Sequence, residues 1–478
     1  MNFIYFNPDE LRADVLGCYG HELAETPNFD RLAAEGTRFD ECHVQHTVCS
    51  PSRCSFLTGR YPHNRGHRTL WNLLQPDEPN TFRYLKEAGY EVHWMGKNDA
   101  LAQETVPHSI TRLHGDIGGG SAHESLFEFG EPGYYSFLAG PMNGPHGDEA
   151  IIERAIRFLS ERDAGDPPFM LFLATGMPHP TYTVPQPYYD MYDPEDLPPL
   201  KPEELADKPS FFEHIRQYRD LDKCDYWVFR KIRAVYLGMV TYVDHLLGRL
   251  MDALEDTGLA DDTTLFAFSD HGDWAGDYGL TEKWPSGLDD CLTRVPMIVR
   301  SPGMVEGHVV GEPMECFDIM PTTLELAGVE SDHTHFAHSM IPRLEGGSGD
   351  PDRAVYAEGG YDGHEPQCFE GGDNDRLLDN EKGIYFPKGL QQQEKPETTC
   401  RATMIRTSEW KLIRRTNGEH ELYDLQSDPE ECLNLYRQEK YREIARELEQ
   451  KMLDWYIHTA DVVPVDQDPR GFAAELYD

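Results

Sequence analysis

Apolar segments typical of buried β-strands alternate along this chain with segments whose apolar residues recur at helical spacing. The strand-like segments are residues 3–6, a run that ends near Gly96, and residues 167–179, 263–273 and 295–303. The helix-like segments are residues 28–36, 80–89, 147–162 and 232–258. This alternation predicts an α/β fold in which helices cover both faces of a large, mostly parallel sheet.

The last part of the chain has a different pattern. Two runs of alternating residues surround Asn417-Gly418, a dipeptide typical of β-hairpins, and an amphipathic helix is predicted at 441–458. Between about 340 and 400 the chain is rich in Gly, Asp and Gln, which indicates a boundary or a long surface excursion. We therefore predict a large α/β domain at 1–360, a loop-rich excursion at 361–400 and a small antiparallel sheet plus helix at 401–478.

The charge balance limits the classes of partner. The chain of 478 residues has 85 acidic and 43 basic residues and a formal net charge of −42. Such a surface repels nucleic acid and anionic membranes, so we predict neither as a partner. A site for an anionic substrate must therefore carry its own local positive charge.

The N-terminal segment lacks the basic start and the long apolar run of a signal peptide, and no apolar run reaches membrane-spanning length. We expect a cytoplasmic protein, or a secreted or periplasmic one if a signal has been removed. The ten cysteines are scattered and form no C-x-x-C pair, so most are expected to be small buried side chains.

Polar groups follow four of the predicted strands, in the segments NPDE, GKND, GMPHP and SDHGD. Ligands of parallel sheets bind at the carboxyl ends of the strands, where these groups are expected to meet. Asp9, Glu10, Asp270 and His271 would form an oxygen-rich site with one imidazole, which favours Ca²⁺, Mg²⁺ or Mn²⁺ over zinc. Taken alone, each segment is also compatible with an ordinary solvated loop.

The segment from Cys49 to Arg60, CSPSRCSFLTGR, predicts a helix with Pro51 in its first turn. Cys49 would lie at the N-terminus of that helix, where free N–H groups favour an anion. A structural cysteine in a helix cap is the simplest alternative. A redox pair with Cys54 is disfavoured, because the spacing is not that of C-x-x-C.

Three basic side chains also lie in predicted strand-end loops. Lys97 follows the strand that ends near Gly96, and Lys283 lies in the segment GLTEKWPSG. His179 lies between a buried strand and a proline-rich loop. Each is compatible with a surface or structural role, but a chain so poor in lysine makes these positions candidates for anion binding.

The segment CSPSRCSFLTGR resembles the signature C-x-P-S-R-x-x-x-L-T-G-R of the formylglycine-dependent sulfatases, the type I sulfatases of the alkaline phosphatase superfamily. Further segments are similar to that family in the same order: DELRADVLGCYG, TPNFDRLAAEGTRF, YLKEAGYEVHWMGK, PHPTYTVP, SDHGDWAGDYGLTEKW, RVPMIVRSPG and, near the C-terminus, residues 405–435. The resemblance spans nearly the whole chain, with a gap around 360–400. It implies an alkaline-phosphatase-like large sheet flanked by helices, with a small C-terminal antiparallel sheet.

The resemblance also implies a chemistry. A separate maturation enzyme would oxidise Cys49 to formylglycine, whose hydrate is a geminal diol that attacks the sulfur of a sulfate ester. The substrate would be a small sulfate ester or a sulfated sugar, and one divalent cation, first of all Ca²⁺, would be bound. The implied metal ligands are Asp9, Glu10, Asp270 and His271. Arg53 would stabilise the diol, Lys97 and Lys283 would bind sulfate, and His179 would protonate the leaving alcohol.

Two departures from the family pattern keep alternatives open. Many relatives have two aspartates where this chain has Asp9-Glu10, and many have G-K-W-H where it has GKND. Asp99 therefore stands where a histidine helps to break the sulfated hemiacetal. An Asp-His pair such as Asp270-His271 also occurs in related phosphonate monoester and phosphodiester hydrolases, which form the first alternative. The second is a binding-only relative whose Cys49 is never converted. The substrate-contacting loops are expected at residues 67–72, near Asn98 and in the excursion.

Overall fold

The computed structural model describes residues 1–114, 125–203, 205, 207–366, 369–371, 377–467 and 470. Its strands are β1 Asn2–Asp9, β2 Thr37–His43, β3 Glu91–Gly96, β4 Arg112–Leu113, β5 Phe169–Pro178, β6 Thr263–Phe268, β7 Arg294–Arg300, β8 His308–Val310, β9 Met314–Glu315, β10 Val355–Gly359, β11 Ala402–Arg406, β12 Trp410–Arg415 and β13 Glu421–Asp424. Its helices are α1 Pro27–Ala34, α2 Cys49–Thr58, α3 Pro62–Arg65, α4 Thr81–Glu87, α5 Val106–Ser109, α6 Gly147–Ser160, α7 Ser210–Tyr218, α8 Tyr226–Asp256, α9 Asp290–Thr293, α10 Ile319–Ala327, α11 Ile341–Leu344, α12 Phe386–Glu394 and α13 Arg442–Thr459.

The large sheet has the strand order β4-β3-β5-β1-β6-β7-β2-β8, and β9 also pairs with β2. β1 pairs in parallel with β5 and β6, and β3 pairs in parallel with β5. β7 runs antiparallel to both of its neighbours, β6 and β2. The sheet is therefore mostly parallel, as predicted, and the antiparallel β7 makes it mixed.

Helices cover both faces of this sheet. Ile4 and Phe6 of β1 pack into one apolar cluster with residues of α1, α6 and α8, whereas Phe3 and Tyr5 pack into a second cluster with residues of α2, α4 and α10. Because neighbouring side chains of a strand point to opposite faces, a strand covered on both sides must be apolar at nearly every position. This requirement explains the continuous apolar run at the N-terminus.

The smaller sheet is antiparallel, with the order β10-β11-β12-β13. Asn417 and Gly418 lie between β12 and β13, so the predicted hairpin is confirmed, and α13 follows it. β10 belongs to this sheet although it precedes residue 360, and α12 lies inside the predicted excursion. Residues 367–368 and 372–376 of that excursion, including Cys368, lie outside the described residues. The division of the chain at 360 and 400 stays a prediction.

Helix α8 begins six residues before the predicted start at residue 232. The side chain of Asp225 accepts a hydrogen bond from the backbone N–H of Trp227 at 2.8 Å, which caps the helix at Tyr226. Among the described residues, no helix is both long and apolar enough to cross a membrane.

Candidate active site

The polar ends of β1, β3, β5 and β6 meet at one edge of the large sheet, and helix α2 begins there. Cys49 is the first residue of α2, Pro51 lies in its first turn, and every residue of the helix is buried. The Cys49 thiol donates to Asp9 Oδ1 at 3.4 Å, and its sulfur lies 3.2 Å from His271 Nε2. The cysteine at the helix start therefore faces the side chains that follow β1 and β6.

Arg53 stands one helical turn after Cys49 and joins two carboxylates. Its Nε donates to Asp270 Oδ2 at 2.8 Å, and its Nη2 donates to Asp9 Oδ2 at 3.0 Å. Burial alone raises the pKa of Asp9, but Lys97 and Arg53 together outweigh burial and hold that pKa well below its usual range. Asp9 therefore stays a carboxylate in a fully buried position.

The donor set fits a hard divalent cation. One ligand atom from each of Asp9, Cys49, Asp270 and His271 lies within 4.8 Å of the others. His271 Nδ1 lies 2.9 Å from the carbonyl oxygen of Gly272, so Nδ1 carries the hydrogen and Nε2 keeps its lone pair for a ligand. Glu10 Oε1 and Arg53 Nη1 are buried without a hydrogen-bond partner among the described residues. An orphaned carboxylate oxygen and an orphaned guanidinium nitrogen suit a site built for a cation and an anion together.

Lys283 contacts both Glu10, which follows β1, and His179, which follows β5. Its Nζ lies 2.7 Å from Glu10 Oε2 and 2.7 Å from His179 Nε2, and these last two atoms are 3.4 Å apart. Burial and the neighbouring Lys283 lower the pKa of His179. Burial also lowers the pKa of Lys283, but Glu10 and further negative groups together outweigh burial and raise that pKa. The ammonium group thus donates, and His179 Nε2 accepts.

Glu10 is held differently from the other three predicted metal ligands. Asp9, Glu10 and His179 also have ligand atoms within 4.8 Å of one another, but the ammonium of Lys283 contacts both Glu10 and His179. A positive charge already occupies the place that a second cation would take. The carboxylate of Glu10 therefore serves first as the partner of Lys283.

Lys97 and Asp99 lie at the border of the cluster, next to Asp9. Lys97 Nζ lies 2.7 Å from Asp99 Oδ2 and 3.5 Å from Asp9 Oδ2. The Lys97 side chain is 40% exposed, in contrast to Asp9 and Arg53. The entrance to the site therefore lies on the side of Lys97.

The sequence did not reveal a group of charged residues around Glu282, which precedes Lys283 in the chain. Buried Glu282 lies 2.7 Å from Arg219 and 2.9 Å from Lys388, and Lys388 in turn lies 2.9 Å from Glu370. The one feature of the sequence that pointed to this group was the position of Glu282 next to Lys283. Nothing local to the sequence marks Lys388, because it lies in the excursion and reaches the site only through folding.

The loop at 67–72 has several contacts of its own. His67 lies within hydrogen-bond distance of Asn72 and Glu78, and buried Arg68 donates to Glu358 at 2.8 Å. Trp71 is half exposed and donates to the carbonyl oxygen of Glu370. Trp71 is thus the side chain of this loop most open to a ligand.

Comparison with known protein families shows which family this chain belongs to. The family described as Sulfatase matches residues 1–329, and the C-terminal family of N-sulphoglucosamine sulphohydrolase matches residues 385–457. The chain belongs to the sulfatase family. The resemblance predicted from the motifs is confirmed.

Individual relatives of this sulfatase cover almost its whole length. It is 28% identical to the multifunctional alkaline phosphatase superfamily protein PehA of Trinickia caryophylli, over 96% of each chain. It is 26% identical to the N-acetylglucosamine-6-O-sulfatase of Bacteroides thetaiotaomicron, over 94% of this chain and 85% of that one. The structure of the phosphonate monoester hydrolase of Agrobacterium radiobacter superposes with a TM-score of 0.77 at 22% identity, covering 98% of this chain and 100% of that one.

The predicted fold and enzyme class are also confirmed. The sulfatase has the alkaline-phosphatase-like arrangement of a large mixed sheet between helices and a small antiparallel sheet. It brings together all the candidate site residues proposed from the sequence, namely Asp9, Glu10, Cys49, Arg53, Lys97, Asp99, His179, Asp270, His271 and Lys283. Their individual roles are inferred below.

Proposed function

We propose that this sulfatase hydrolyses a sulfate monoester with a formylglycine made from Cys49 and one divalent cation. The observation that carries the proposal is the position of the Cys49 sulfur, 3.4 Å from Asp9 and 3.2 Å from His271 at the start of a buried helix. Burial, followed by the charge of Asp9, raises the pKa of the Cys49 thiol. An unmodified thiol here would be a poor nucleophile, which favours conversion of the side chain.

The cation would be held by Asp9, Asp270 and His271, with Glu10 at its border, and Ca²⁺ suits this oxygen-rich set best. When bound, it would polarise a sulfate oxygen and favour the ionised form of the nucleophile. The aldehyde hydrate at position 49 would supply the oxygen that attacks sulfur. Arg53 neutralises the carboxylates around it and offers Nη1 as a further donor.

The remaining residues act on the substrate. Lys97 lies beside Asp9 and Lys283 beside Glu10. Each would bind one sulfate oxygen, which supplies the positive charge that an acidic protein needs at an anion site. His179 and Lys283 share one proton across 2.7 Å, and we assign that proton to the leaving alcohol. Asp99, held by Lys97, is the proposed base that releases sulfate from the hemiacetal.

Hydrolysis of phosphonate monoesters or phosphodiesters is the second candidate. It is favoured by the likeness to the phosphonate monoester hydrolase structure. The placement of Lys97 and Lys283 favours sulfate, because three free oxygens on sulfur can meet the cation and both ammonium groups. A phosphonate monoester offers fewer oxygens, since carbon replaces one of them.

A panel of three esters tests the proposal. The enzyme, coexpressed with a formylglycine-generating enzyme, is assayed with an aryl sulfate, phenyl phosphonate and a bis-aryl phosphate, with and without added Ca²⁺. We expect the highest kcat/KM for the sulfate ester and a loss of activity on chelation. A kcat/KM that is orders of magnitude higher for either phosphorus ester would assign the protein to the second candidate. A sulfated N-acetylglucosamine in the same panel tests whether a sulfated sugar is a substrate, as the sequence resemblance implies.

A further inference from the structure

A cavity of about 610 Å³ lies between helix α13, the β11–β12 hairpin and the segment around α3. Its lining includes Arg68, Arg401, Arg414 and Arg415, and no carboxylate among the described residues that line it. In a chain with a net charge of −42, four guanidinium groups around one cavity form a local exception to the acidic surface. None of these residues belongs to the Cys49 cluster.

Each of the four arginines forms an ion pair with a carboxylate that does not line the cavity. Glu358 binds Arg68, Glu365 binds Arg401, Glu449 binds Arg414 and Glu421 binds Arg415. A guanidinium has five N–H donors, and one carboxylate uses only one or two of them. The acidic partners therefore orient the arginines and leave donors for a ligand.

The four arginines differ in how many donors they have left. Arg415 donates from Nε and Nη2 to Glu421 and from Nη1 to the carbonyl oxygen of Ser286, so it contributes mainly charge. In Arg68 and Arg401, a single Nη2 makes the hydrogen bonds described for the side chain. These two residues are the best candidates for direct contact with an anion.

Arg68 and Arg401 also repel each other. Burial, and next the charge of Arg68, lower the pKa of Arg401. Two guanidinium groups that face the same cavity destabilise each other until an anion lies between them. Glu358, which contacts Arg68 and His63, compensates part of this repulsion.

The cavity is connected to both loops of the candidate active site. The backbone N–H of Glu358 donates to the carbonyl oxygen of Gln45, four residues before Cys49. Arg415 donates to Ser286, three residues after Lys283. Arg415, which lines the cavity, and Glu358, which holds Arg68, therefore support the loops that bear Lys283 and Cys49.

We propose that this arginine pocket is a second oxyanion-binding site, which takes a sulfate or carboxylate group. The group has two possible sources, a remote anionic group of a sulfated sugar substrate or free inorganic sulfate. The first source rests on the proposed function, and the second does not. The volume of the cavity lies within the range of small-molecule sites.

The test begins with inorganic sulfate. The double variant Arg401→Gln/Arg414→Gln removes two partly exposed guanidinium groups and leaves the buried Arg68 and Arg415 in place. Isothermal titration with sodium sulfate at constant ionic strength should show a loss of sulfate affinity of about tenfold or more in this variant. The matched control Arg437→Gln, on an exposed side chain outside the pocket, should titrate like the wild type, and Lys97→Ala should keep this binding event.

Kinetics then distinguish the two sources. If the pocket takes a remote group of the substrate, the double variant raises KM for a disaccharide with two sulfates about tenfold, with KM for a monosulfated aryl ester unchanged. If it takes free sulfate, only the titration changes. Wild-type titration and unchanged KM values in the double variant would overturn the proposal. If no sulfate ester is hydrolysed, the proposed function fails, but the sulfate titration still decides the pocket.

Discussion

At the scale of single residues, the chemistry of the site depends on the contact between Lys283 and His179. The two nitrogen atoms are 2.7 Å apart, and Glu10 Oε2 lies 2.7 Å from the same Lys283 Nζ. Burial and Lys283 lower the pKa of His179, which disfavours a second proton on the imidazole. The pair delivers a proton only because the lysine keeps one within reach.

His179→Gln is therefore expected to affect esters according to their leaving group. We predict a fall in kcat/KM of about 10²–10³-fold for an alkyl sulfate, which needs protonation, and less than about tenfold for 4-nitrophenyl sulfate, which does not. His108→Gln, at an exposed position of α5, is the matched control. An equal loss for both esters would argue against an acid role for this residue.

Residues were predictable from the sequence where a motif and a strand end coincide. Cys49, Arg53, Asp9 and Asp270 lie in segments that can be recognised one at a time, and the sheet brings those segments together. Lys388 was not predictable, because its contact with Glu282 joins α12 to a loop about a hundred residues away. Such contacts depend on tertiary packing, which local patterns do not encode.

At the scale of secondary-structure elements, the end of β3 sets the position of Lys97. Gly96 pairs with Ala174 of β5 and has a φ of +106°, a conformation that favours glycine. A Cβ atom at this position would overlap the carbonyl oxygen of Ala174. The close approach of the two strands at this point therefore requires a residue without a side chain.

Gly96→Ala is expected to destabilise the protein by about 2–3 kcal/mol more than Gly89→Ala, which has a similar φ of +94° but nothing within 4 Å of the added methyl group. The control Gly89→Ala therefore has the same unfavourable backbone conformation, but its methyl group overlaps no other atom. We also expect a lower kcat for Gly96→Ala, because Lys97 is the next residue. Urea unfolding of both variants measures the difference, and equal stability would show that the strands separate without cost.

The types of most elements were predictable, but their arrangement was not. The apolar runs of β1, β5 and β6 and the helical spacing of α6 and α8 predicted these elements directly. β2 was not predicted, because only Phe39 and Cys42 are apolar in Thr37–His43, which leaves no strand-like apolar pattern. The antiparallel direction of β7 and the strand order follow from pairing between distant residues, which no local pattern records.

At the scale of the whole molecule, Glu358 joins the small sheet to the large one. It lies in β10, is fully buried, and contacts Arg68 at 2.8 Å and His63 at 2.7 Å. Burial raises the pKa of Glu358, but Arg68 and His63 outweigh burial and lower it to about 2. The depressed pKa means that the folded state favours the carboxylate more than the unfolded state does.

Stability from this group is present above the unfolded glutamate pKa of about 4.3 and is lost as the pH falls towards 2. We therefore expect Glu358→Gln to lower the free energy of unfolding by about 3 kcal/mol at pH 7, and by about half as much at pH 3. Urea unfolding at both pH values measures this. The control Glu439→Gln, at an exposed site, should have nearly the same free energy of unfolding as the wild type at both pH values. If the wild type and Glu358→Gln differed more in free energy of unfolding at pH 3 than at pH 7, the lowered pKa of Glu358 would be contradicted.

The account as a whole depends on the conversion of Cys49. The most direct measurement is the mass of the peptide spanning residues 46–60, taken from protein coexpressed with a formylglycine-generating enzyme and compared with its sulfatase activity. We predict a peptide lighter by the difference between CH₂SH and CHO at position 49, with activity proportional to the converted fraction and no activity in Cys49→Ala. Full sulfatase activity in protein whose peptide retains only the thiol would contradict the account.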